Sequence, residues 1–342
     1  MSAVGRAPRR KRDGGRPRVA FIAWTPIVGR PEEIAAALGG EARCLYSIDS
    51  PRRAAILLRY SIDSARTISY LVRRRPYAVI VANPPIFPAL IAVAYARLAG
   101  VPLLLDSHPS SFGLAGDELS RRLLPLHAWV ARRAATTLVS APALEDMVRG
   151  WGARVDIVHE ARPSWRVGPS HAPRPRPLIL FACIFSGDEP VADVVEAARR
   201  VPNVDIHITG DPRRCPAGLR EAAPPNMRFV GFLKGSAYVQ AIAEADAILA
   251  LSTEPTSVMR TAHEAVWAER PLIISSRPQL EELFPFAVHV PNEAEGIAEG
   301  IRSALRRRVD LVAVAPTARA HQEARWRGQL DILRSRLDPI ST

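Results

Sequence analysis

The sequence predicts an α/β protein with two Rossmann-like halves. Short apolar runs alternate with amphipathic segments over residues 18–160, and the same alternation starts again over residues 178–310. Between them, residues 161–177 hold five prolines and indicate a linker. Strands that alternate with helices along the chain pair in parallel, so we expect one parallel sheet in each half.

Length and composition fit a protein with two packed cores. The chain has 342 residues, of which 48% are hydrophobic, and a mean hydropathy of +0.00 excludes a polytopic membrane protein. Three cysteines, Cys44, Cys183 and Cys215, lack the spacing of a metal site or a disulfide framework. We therefore expect a protein of the reducing cytoplasm without a bound metal, and the N-terminal residues show no signal peptide.

The net charge is strongly positive. The formal charge of +12 comes from 46 Lys and Arg residues against 34 Asp and Glu residues. Residues 1–17 carry much of this excess and predict a disordered basic tail, which either binds an anionic surface or is simply solvated. Basic and aromatic residues are not interleaved as in nucleic-acid-binding proteins, so we expect no nucleic-acid partner.

The first half is predicted to contain six strands and five helices. Each strand is a buried apolar run that ends at polar residues, Gly or Pro. The predicted strands are residues 18–24, 43–48, 77–82, 101–105, 136–140 and 155–158, and the predicted helices are residues 31–38, 51–75, 87–98, 117–134 and 142–150. Pro31 opens the first helix and Gly39-Gly40 ends it.

The longest of these helices, residues 51–75, has two distinct faces. Its apolar side chains recur at helical spacing, and we expect this face to be buried against its own domain: Ala54, Leu57, Leu58, Ala65, Ile68, Leu71 and Val72. Arg52, Arg59, Arg66 and Arg73 recur every seventh residue on another side. This basic face either contacts the headgroups of an anionic membrane or is solvated.

The fourth predicted strand ends in a cluster of polar residues, Asp106-Ser107-His108-Pro109-Ser110-Ser111. A carboxylate, an imidazole and three hydroxyls are more than a simple connection needs. Ligands of open parallel sheets bind at the carboxyl ends of the strands. His108 and Asp106 are therefore our candidates for the functional site of the first half.

The second half repeats the pattern. Predicted strands cover residues 178–184, 204–209, 227–230 and 247–251, and another begins at Leu272. Predicted helices cover residues 191–200, 238–245, 292–307 and 317–337, the last of these with Trp326 as a packing anchor. One more helix should begin after an N-cap at Thr256 or Ser257 and end before Arg270-Pro271.

The stretch 249–276 resembles the donor site of GT-B glycosyltransferases of the family 4 and family 1-type group. That group carries a Glu-x7-Glu motif followed by Ala and, shortly after, Pro. His263-Glu264-Ala265 and Arg270-Pro271-Leu272-Ile273 fit its second half. The first Glu is replaced by Thr256, and Glu254 lies two residues too early. The resemblance implies two Rossmann-like domains whose parallel sheets face each other across a cleft, with residues 311–342 returning as a helix to the first domain.

The resemblance also implies a nucleotide-sugar site. Glu264 would bind the ribose hydroxyls, and Phe232 or Leu233 would lie beside the base. The phosphate and sugar would contact two segments of the second half. One is the loop and helix start after the fourth strand, with Thr256, Ser257, Arg260 and Thr261, and the other is Gly210 at the end of the second strand. Helix N-termini, with Arg260 or Lys234, would balance the charge of the diphosphate.

The loop after the first strand of the second half departs from the group. It reads Ser186-Gly187-Asp188-Glu189 and lacks the Arg and Lys that usually neutralise the diphosphate. Ser186, Asp188 and Glu189 either bind sugar hydroxyls or cap the helix that follows.

The resemblance implies a glycosyltransferase of polysaccharide biosynthesis. It would move a sugar from a nucleoside diphosphate sugar to a hydroxyl of a lipid-linked or glycan acceptor, with no metal or other cofactor. His108 or Asp106 would act near the anomeric carbon, as a base if the reaction inverts configuration. We expect a cytoplasmic protein, peripheral at the inner face of the cell membrane.

Two other functions stay open at this point. One is an epimerase of UDP-sugars with the same fold. The other is a non-catalytic nucleotide-sugar-binding or scaffold protein, which is favoured by the missing first Glu and the missing Arg and Lys.

Overall fold

The computed structural model describes residues 19–26, 29–50, 52–114, 118–168 and 174–337. Within these ranges the chain forms two six-stranded sheets, and every strand pairs in parallel with its neighbours. The predicted fold class is confirmed. The predicted basic tail lies outside the described residues, as does part of the predicted linker.

The first sheet has the strand order β2-β1-β3-β4-β5-β6. Its strands and helices are, in chain order, β1 (Val19–Ala23), α1 (Gly29–Ala37), β2 (Glu41–Cys44), α2 (Arg53–Arg74), β3 (Ala78–Asn83), α3 (Phe87–Ala99), β4 (Leu103–Ser107), α4 (Glu118–Arg122), α5 (Leu124–Ala131), β5 (Thr136–Val139), α6 (Pro142–Gly150) and β6 (Val155–Ile157). Every residue of β1 and β4 is buried, because helices cover both faces of a parallel sheet.

The second sheet has the strand order β12-β11-β10-β7-β8-β9. It is built from β7 (Leu178–Phe181), α7 (Val191–Arg200), β8 (Asp205–Thr209), β9 (Met227–Gly231), α8 (Ser236–Glu244), β10 (Ala247–Ala250), α9 (Arg260–Trp267), β11 (Leu272–Ser275), α10 (Pro278–Leu283), β12 (Val288–Val290), α11 (Ala294–Arg306) and α12 (Arg308–Leu337). The central strands β7 and β10 are again buried throughout.

Some predicted boundaries are wrong. Residues 117–134 contain two short helices rather than one, and Pro125 lies in the first turn of the second, where its missing N–H is tolerated. The helix expected to follow Thr256 or Ser257 begins only at Arg260. Thr256 instead donates its hydroxyl to Glu254 Oε1 at 3.0 Å, so it stabilises a turn and does not cap the helix.

Helix α2 packs with a face that the apolar pattern did not predict. Four side chains of the expected buried face are between 49% and 68% exposed: Leu57, Leu58, Ile68 and Val72. The buried side carries Asp63 and Thr67 together with Leu71. Trp24 Nε1 donates to Thr67 Oγ1 at 3.0 Å, which gives the buried indole N–H its acceptor. The prediction of an inward apolar face is therefore wrong.

The last helix, α12, connects the two domains. Trp326, Leu333 and Leu337 of α12 pack in one apolar cluster with Val19 and Phe21 of β1. Near its middle, Gln322 bonds to His263 of α9, in the second domain. This helix is longer than predicted, because it begins at Arg308 and continues through Pro316. Among the described residues, no helix has the length and apolar character needed to cross a membrane.

Candidate functional site

Arg30, near the start of α1, ties together the carboxyl ends of β4 and β6. Its Nη2 donates to Asp106 Oδ1 at 2.8 Å and to Val158 O at 3.0 Å, and its Nη1 donates to His159 O at 2.8 Å. A second bond from Nε reaches Asp106 Oδ2 at 3.1 Å. Both carboxylate oxygens of Asp106 are thus engaged by one guanidinium. Asp106, predicted as a catalytic group, instead stabilises the carboxyl edge of the sheet. Because both of its oxygens accept bonds from Arg30, it is poorly suited to remove a proton.

His108 is the polar side chain that this edge leaves exposed. Its Nδ1 accepts the backbone N–H of Ser110 at 3.3 Å, which places the proton of the neutral ring on Nε2. Desolvation in the cleft lowers the pKa of His108, and the charges of Asp106, Arg30, Glu160 and Asp188 also act on it. A neutral His108 would therefore offer an N–H donor from Nε2.

A buried histidine supports the loop that carries His108. His127 Nε2 lies 2.8 Å from Ser107 Oγ, and its ring packs against Phe112 and Trp151. Burial lowers the pKa of His127 to about 4, so it is neutral at physiological pH. Sequence reasoning missed His127, because it lies in an apolar helix twenty residues from its partner.

Arg260 of the second domain bonds to two carboxylates of the first. It is the first residue of α9, and the residue before it, Met259, has no polar side-chain atom to cap the helix. Arg260 Nη2 donates to both carboxylate oxygens of Glu33 at 2.9 Å, and Nη1 donates to Glu160 Oε2 at 3.1 Å. The guanidinium lies directly over Gly29, where a Cβ would be 2.6 Å from Arg260 Cζ. Any larger residue at this position would displace the guanidinium of Arg260.

Glu264 lies one helical turn after Arg260 and is almost completely buried. Its Oε1 accepts from Arg260 Nε at 2.8 Å, and its Oε2 accepts from Tyr238 Oη at 2.6 Å. Burial raises the pKa of Glu264. Each carboxylate oxygen can accept a second hydrogen bond, so this residue, predicted to bind ribose, keeps that capacity. Tyr238, Glu33 and Glu160 are neighbours of the site that sequence reasoning did not identify.

The acidic residues after β7 have structural partners. Glu189 accepts the backbone N–H groups of Ser186 at 2.8 Å and of Ile184 at 3.1 Å. Asp188 accepts from Ser186 Oγ at 2.6 Å and from Ser252 Oγ at 2.5 Å. Pro190, not either acid, precedes α7. The capping interpretation is therefore wrong, and both carboxylates hold the loops after β7 and β10 in place.

A second arginine, Arg277, supports the loop after β10. Its guanidinium donates to the carbonyl oxygens of Ser252 and Glu254. Within that loop, Thr256 is buried, whereas Ser257 and Thr261 are half-buried. The segment predicted to face the phosphates thus contains a turn that Arg277 stabilises through two backbone carbonyls. The start of α9, which has no side-chain cap, follows this turn.

Three predicted donor-site residues follow strands at the far side of the second sheet: Gly210, predicted to meet phosphate or sugar, and Phe232 and Leu233, predicted to lie beside the base. Gly210 follows β8 with φ 119°, and a Cβ there would be 2.5 Å from the ring of Phe185. Phe232 and Leu233 follow β9, and Lys234 Nζ lies 5.4 Å from the centroid of the Phe232 ring. Adjacent strands are about 4.8 Å apart, so these ends are roughly 10 to 15 Å from that of β10.

The remaining predicted sites lie elsewhere. Among the described residues, no group of three or more His, Cys, Asp and Glu side chains is arranged to hold a metal ion. Arg52, Arg66 and Arg73 of α2 are exposed, but Arg59 is half-buried, with its guanidinium 4.4 Å from the centroid of the Tyr46 ring.

Sequence models of two protein families match most of the chain. Residues 6–160 match the family described as glycosyl transferase 4-like domain, and residues 190–330 match the family described as glycosyl transferase-like. A search of curated proteins found no matching sequence.

Several solved structures share this fold at low sequence identity. A sucrose-phosphate synthase from Thermosynechococcus elongatus is 14% identical with a TM-score of 0.71, over 94% of this chain and 98% of that one. HepE of Anabaena, in complex with UDP and glucose, is 14% identical with a TM-score of 0.69, over 93% and 100%. A UDP-forming trehalose-phosphate synthase from Burkholderia xenovorans is 11% identical with a TM-score of 0.64, over 95% and 100%.

The two family matches cover the two domains in turn, and each domain contains one parallel sheet, as the GT-B fold requires. The chain is a glycosyltransferase of the family 4 and family 1-type group, with the GT-B fold and a nucleotide sugar as its donor.

Proposed function

We propose that this glycosyltransferase moves a sugar from a nucleoside diphosphate sugar to a hydroxyl of a lipid-linked or glycan acceptor, without a metal ion or other cofactor. We further propose that it does so in polysaccharide biosynthesis, at the cytoplasmic face of the cell membrane. The observation that carries the proposal is the pairing of Arg260 with Glu264 at the start of α9, between the two domains.

The start of α9 is suited to a diphosphate. The first backbone N–H groups of an α-helix have no partners within the helix, and the helix dipole adds partial positive charge. The guanidinium of Arg260 adds a full positive charge at the same place and can form two bonds to a phosphate. Positive charge from the protein would stabilise the leaving diphosphate as the glycosidic bond breaks, which is the task a metal ion performs elsewhere.

Glu264 supplies the complementary half of the donor site. A carboxylate next to a helix start would repel a phosphate, but Glu264 lies one turn farther along α9, where a ribose bound through its phosphates would extend. Its contacts with Tyr238 and Arg260 fix the carboxylate in one orientation. Two vicinal hydroxyls of a ribose match the two oxygens of such a carboxylate.

The first domain would supply the acceptor side. His108 is exposed at the carboxyl edge of the first sheet, and the charge of Asp188, in the second domain, acts on its pKa, which supports a position near the cleft. A donor N–H on Nε2 would hold a sugar hydroxyl close to the anomeric carbon. The relative HepE binds UDP and glucose, which makes UDP-sugars the first donors to test here.

A panel assay tests the proposal. The purified protein is incubated with UDP-, GDP- and ADP-sugars, with and without a polyprenyl-diphosphate glycan extract, and the release of free nucleoside diphosphate is measured. We expect release from one donor that depends on the acceptor and is unchanged by EDTA. Release that requires a divalent cation would overturn the metal-independent part of the proposal.

Two other results of the panel assay would contradict the proposal. Conversion of a UDP-sugar to its epimer without release of UDP would replace transfer by epimerisation. Failure of every donor to bind would overturn the assignment of Arg260 and Glu264 as the donor site.

A further inference from the structure

Helix α2 presents a largely apolar side to solvent, interrupted by Ser61, whose hydroxyl donates to Leu57 O at 3.1 Å. The apolar members of this side lie at helical spacing, and we call them the outer stripe: Ala54, Leu57, Leu58, Ala65, Ile68 and Val72. From Ala54 to Val72 the stripe runs for about 27 Å along the helix axis. Exposed apolar surface of this extent usually marks an interaction site.

The helix cannot bury this stripe by rolling over. Its inner side is fixed by the bond from Trp24 Nε1 to Thr67 Oγ1, which joins α2 to the end of β1. Tyr70 on the same helix donates its hydroxyl to Glu41 Oε1 at 2.7 Å. Rotation would break these bonds and leave a buried indole N–H without an acceptor. The outer stripe therefore needs a partner outside its own domain.

The positive charge beside the outer stripe indicates what kind of partner binds it. Arg52, Arg66 and Arg73 are exposed on an adjacent side of the helix, and we call them the arginine row; the exposed Arg74 and Arg75 follow at the end of the helix. Arg59 has the same spacing, but its guanidinium packs on the ring of Tyr46. The acid of this helix, Asp63, is fully buried, so it adds no exposed negative charge to this surface. The acid nearest the end of the helix is Glu41, which bonds to Tyr70 and lies 4.0 Å from Arg74. An apolar stripe with a basic edge matches the boundary between acyl chains and anionic headgroups.

The position of α2 connects this surface to the cleft. The helix follows β2, so it begins at the carboxyl edge of the first sheet, where the cleft lies. There the rings of Trp24, Tyr60 and Phe87 form an aromatic cluster, with centroids 5.6 and 5.0 Å apart. An acceptor anchored in the bilayer by a lipid would bring its hydroxyl to this edge.

We propose that the outer stripe of α2 inserts into the headgroup–acyl boundary of an anionic phospholipid membrane, with the arginine row bound to lipid phosphates. The orientation differs from the one predicted from sequence, because the apolar side faces the lipid and the arginines lie at its rim. The inference deepens the proposed function by specifying how a lipid-linked acceptor is reached. Its test uses no sugar donor, so the two proposals can fail separately.

Vesicle sedimentation of the full-length protein is the test. Wild-type protein should sediment with vesicles of phosphatidylcholine and phosphatidylglycerol in equal amounts, and much less with phosphatidylcholine alone. The double variant Leu57→Ser/Leu58→Ser should bind at least roughly tenfold more weakly, because two leucines no longer enter the acyl region. Val309→Ser is the matched control: Val309 is 74% exposed and lies beside Arg307 and Arg308, but on α12. It should bind as wild type does.

The arginine row is tested with Arg66→Gln/Arg73→Gln. This variant should bind the anionic vesicles more weakly than wild type does, whereas its weak binding to phosphatidylcholine vesicles should not change. Binding of the wild-type protein to anionic vesicles should weaken as the salt concentration rises. Both arginines are exposed, so thermal unfolding should match that of the wild type.

Three outcomes would overturn the proposal. The first is wild-type protein that does not sediment with anionic vesicles. The second is binding that persists in the Leu57→Ser/Leu58→Ser variant and disappears when residues 1–16 are removed, which would assign it to the basic N-terminal segment. The third is a stable dimer in light scattering that the same double variant dissociates, which would make a second copy the partner of the stripe.

Discussion

Arg260 of the second domain places Nη2 2.9 Å from each carboxylate oxygen of Glu33 on α1 of the first domain. One guanidinium thus joins the start of α9 to the start of α1, and it also bonds to Glu160 and Glu264. Three carboxylates share this arginine before any donor is bound. A diphosphate that enters the cleft must compete with them for the same positive charge.

We expect Arg260→Gln to weaken donor binding by roughly tenfold to a hundredfold, because a charge-assisted bond to phosphate is lost. Isothermal titration calorimetry with the donor found by the panel measures the effect. Arg319→Gln is the control, since Arg319 is similarly half-exposed and pairs with Glu269 of the same domain, away from the cleft. A diphosphate role for Arg260 would be contradicted if both variants lost the same donor affinity, or if neither variant lost any.

Donor binding should weaken as pH rises above neutrality. Burial raises the pKa of Glu33 to about 7, with Glu160 and Glu264 as negative neighbours. A bound diphosphate adds negative charge and raises this pKa further, so binding takes up a proton. Affinity is then full below pH 7 and falls, by at most about tenfold per pH unit, as pH rises above it.

The measurement is donor affinity as a function of pH, made with the nucleotide sugar because its diphosphate does not titrate near pH 7. Glu33→Gln should flatten the curve, since glutamine cannot take up the proton. A wild-type affinity that is constant from pH 6 to pH 9 would rule out the linkage.

Glu264→Ala should reduce donor affinity by at least roughly tenfold, because the ribose hydroxyls lose their acceptor. Glu264→Gln should have an intermediate effect, since the amide oxygen still accepts. Tyr238→Phe is the structural comparison: it removes the bond to Oε2 but leaves the carboxylate. Thermal unfolding checks that each variant is folded, and a Glu264→Ala protein with normal donor affinity would remove this residue from the site.

Substitutions of His108 distinguish a base from a hydrogen-bond donor. His108→Ala should lower kcat by roughly a hundredfold and leave donor affinity nearly unchanged. His108→Gln places an N–H donor near the position of Nε2, so it should recover part of the turnover if the N–H is what matters. If the imidazole instead removes a proton, the Gln variant will be as slow as the Ala variant. Wild-type turnover in the Ala variant would exclude both roles.

The junction of the domains should be sensitive to acid. His159 and His263 lie with ring centroids 5.6 Å apart, and burial lowers the pKa of each to about 3. Below pH 6.5 the unfolded chain binds protons that the folded chain does not. Stability should therefore fall as pH decreases from 6.5 towards 3, by up to about 1.4 kcal/mol per pH unit for each ring.

Urea unfolding at pH 7 and pH 5 measures this loss. The groups that face the two rings are Gln322 and Gln329 of α12, Arg325, Arg30, Arg260 and Glu160. His263→Gln should reduce the difference between the two pH values, whereas His321→Gln, at an exposed position, should not. An identical pH dependence in wild type and His263→Gln would contradict the assignment.

The sequence by itself determined the architecture. Apolar runs such as those of β1, β4 and β10 are buried on both faces, so their strand character shows in every residue. The resemblance around Glu264 rests on the spacing of α9 and β11, which is local, and it predicted that Glu264 binds the donor. These features depend on neighbours within a few residues, which a single sequence displays.

Only the tertiary structure decided which side chains meet. The apolar side of α2 faces outward because Trp24, more than forty residues away, takes Thr67 as its acceptor. Asp106 is held by Arg30 and not free, and Arg260 bonds to Glu33 across 227 residues of chain. Such pairings depend on how two sheets and their helices are arranged in space. Local hydrophobic periodicity shows that a helix has an apolar side, but not what that side contacts.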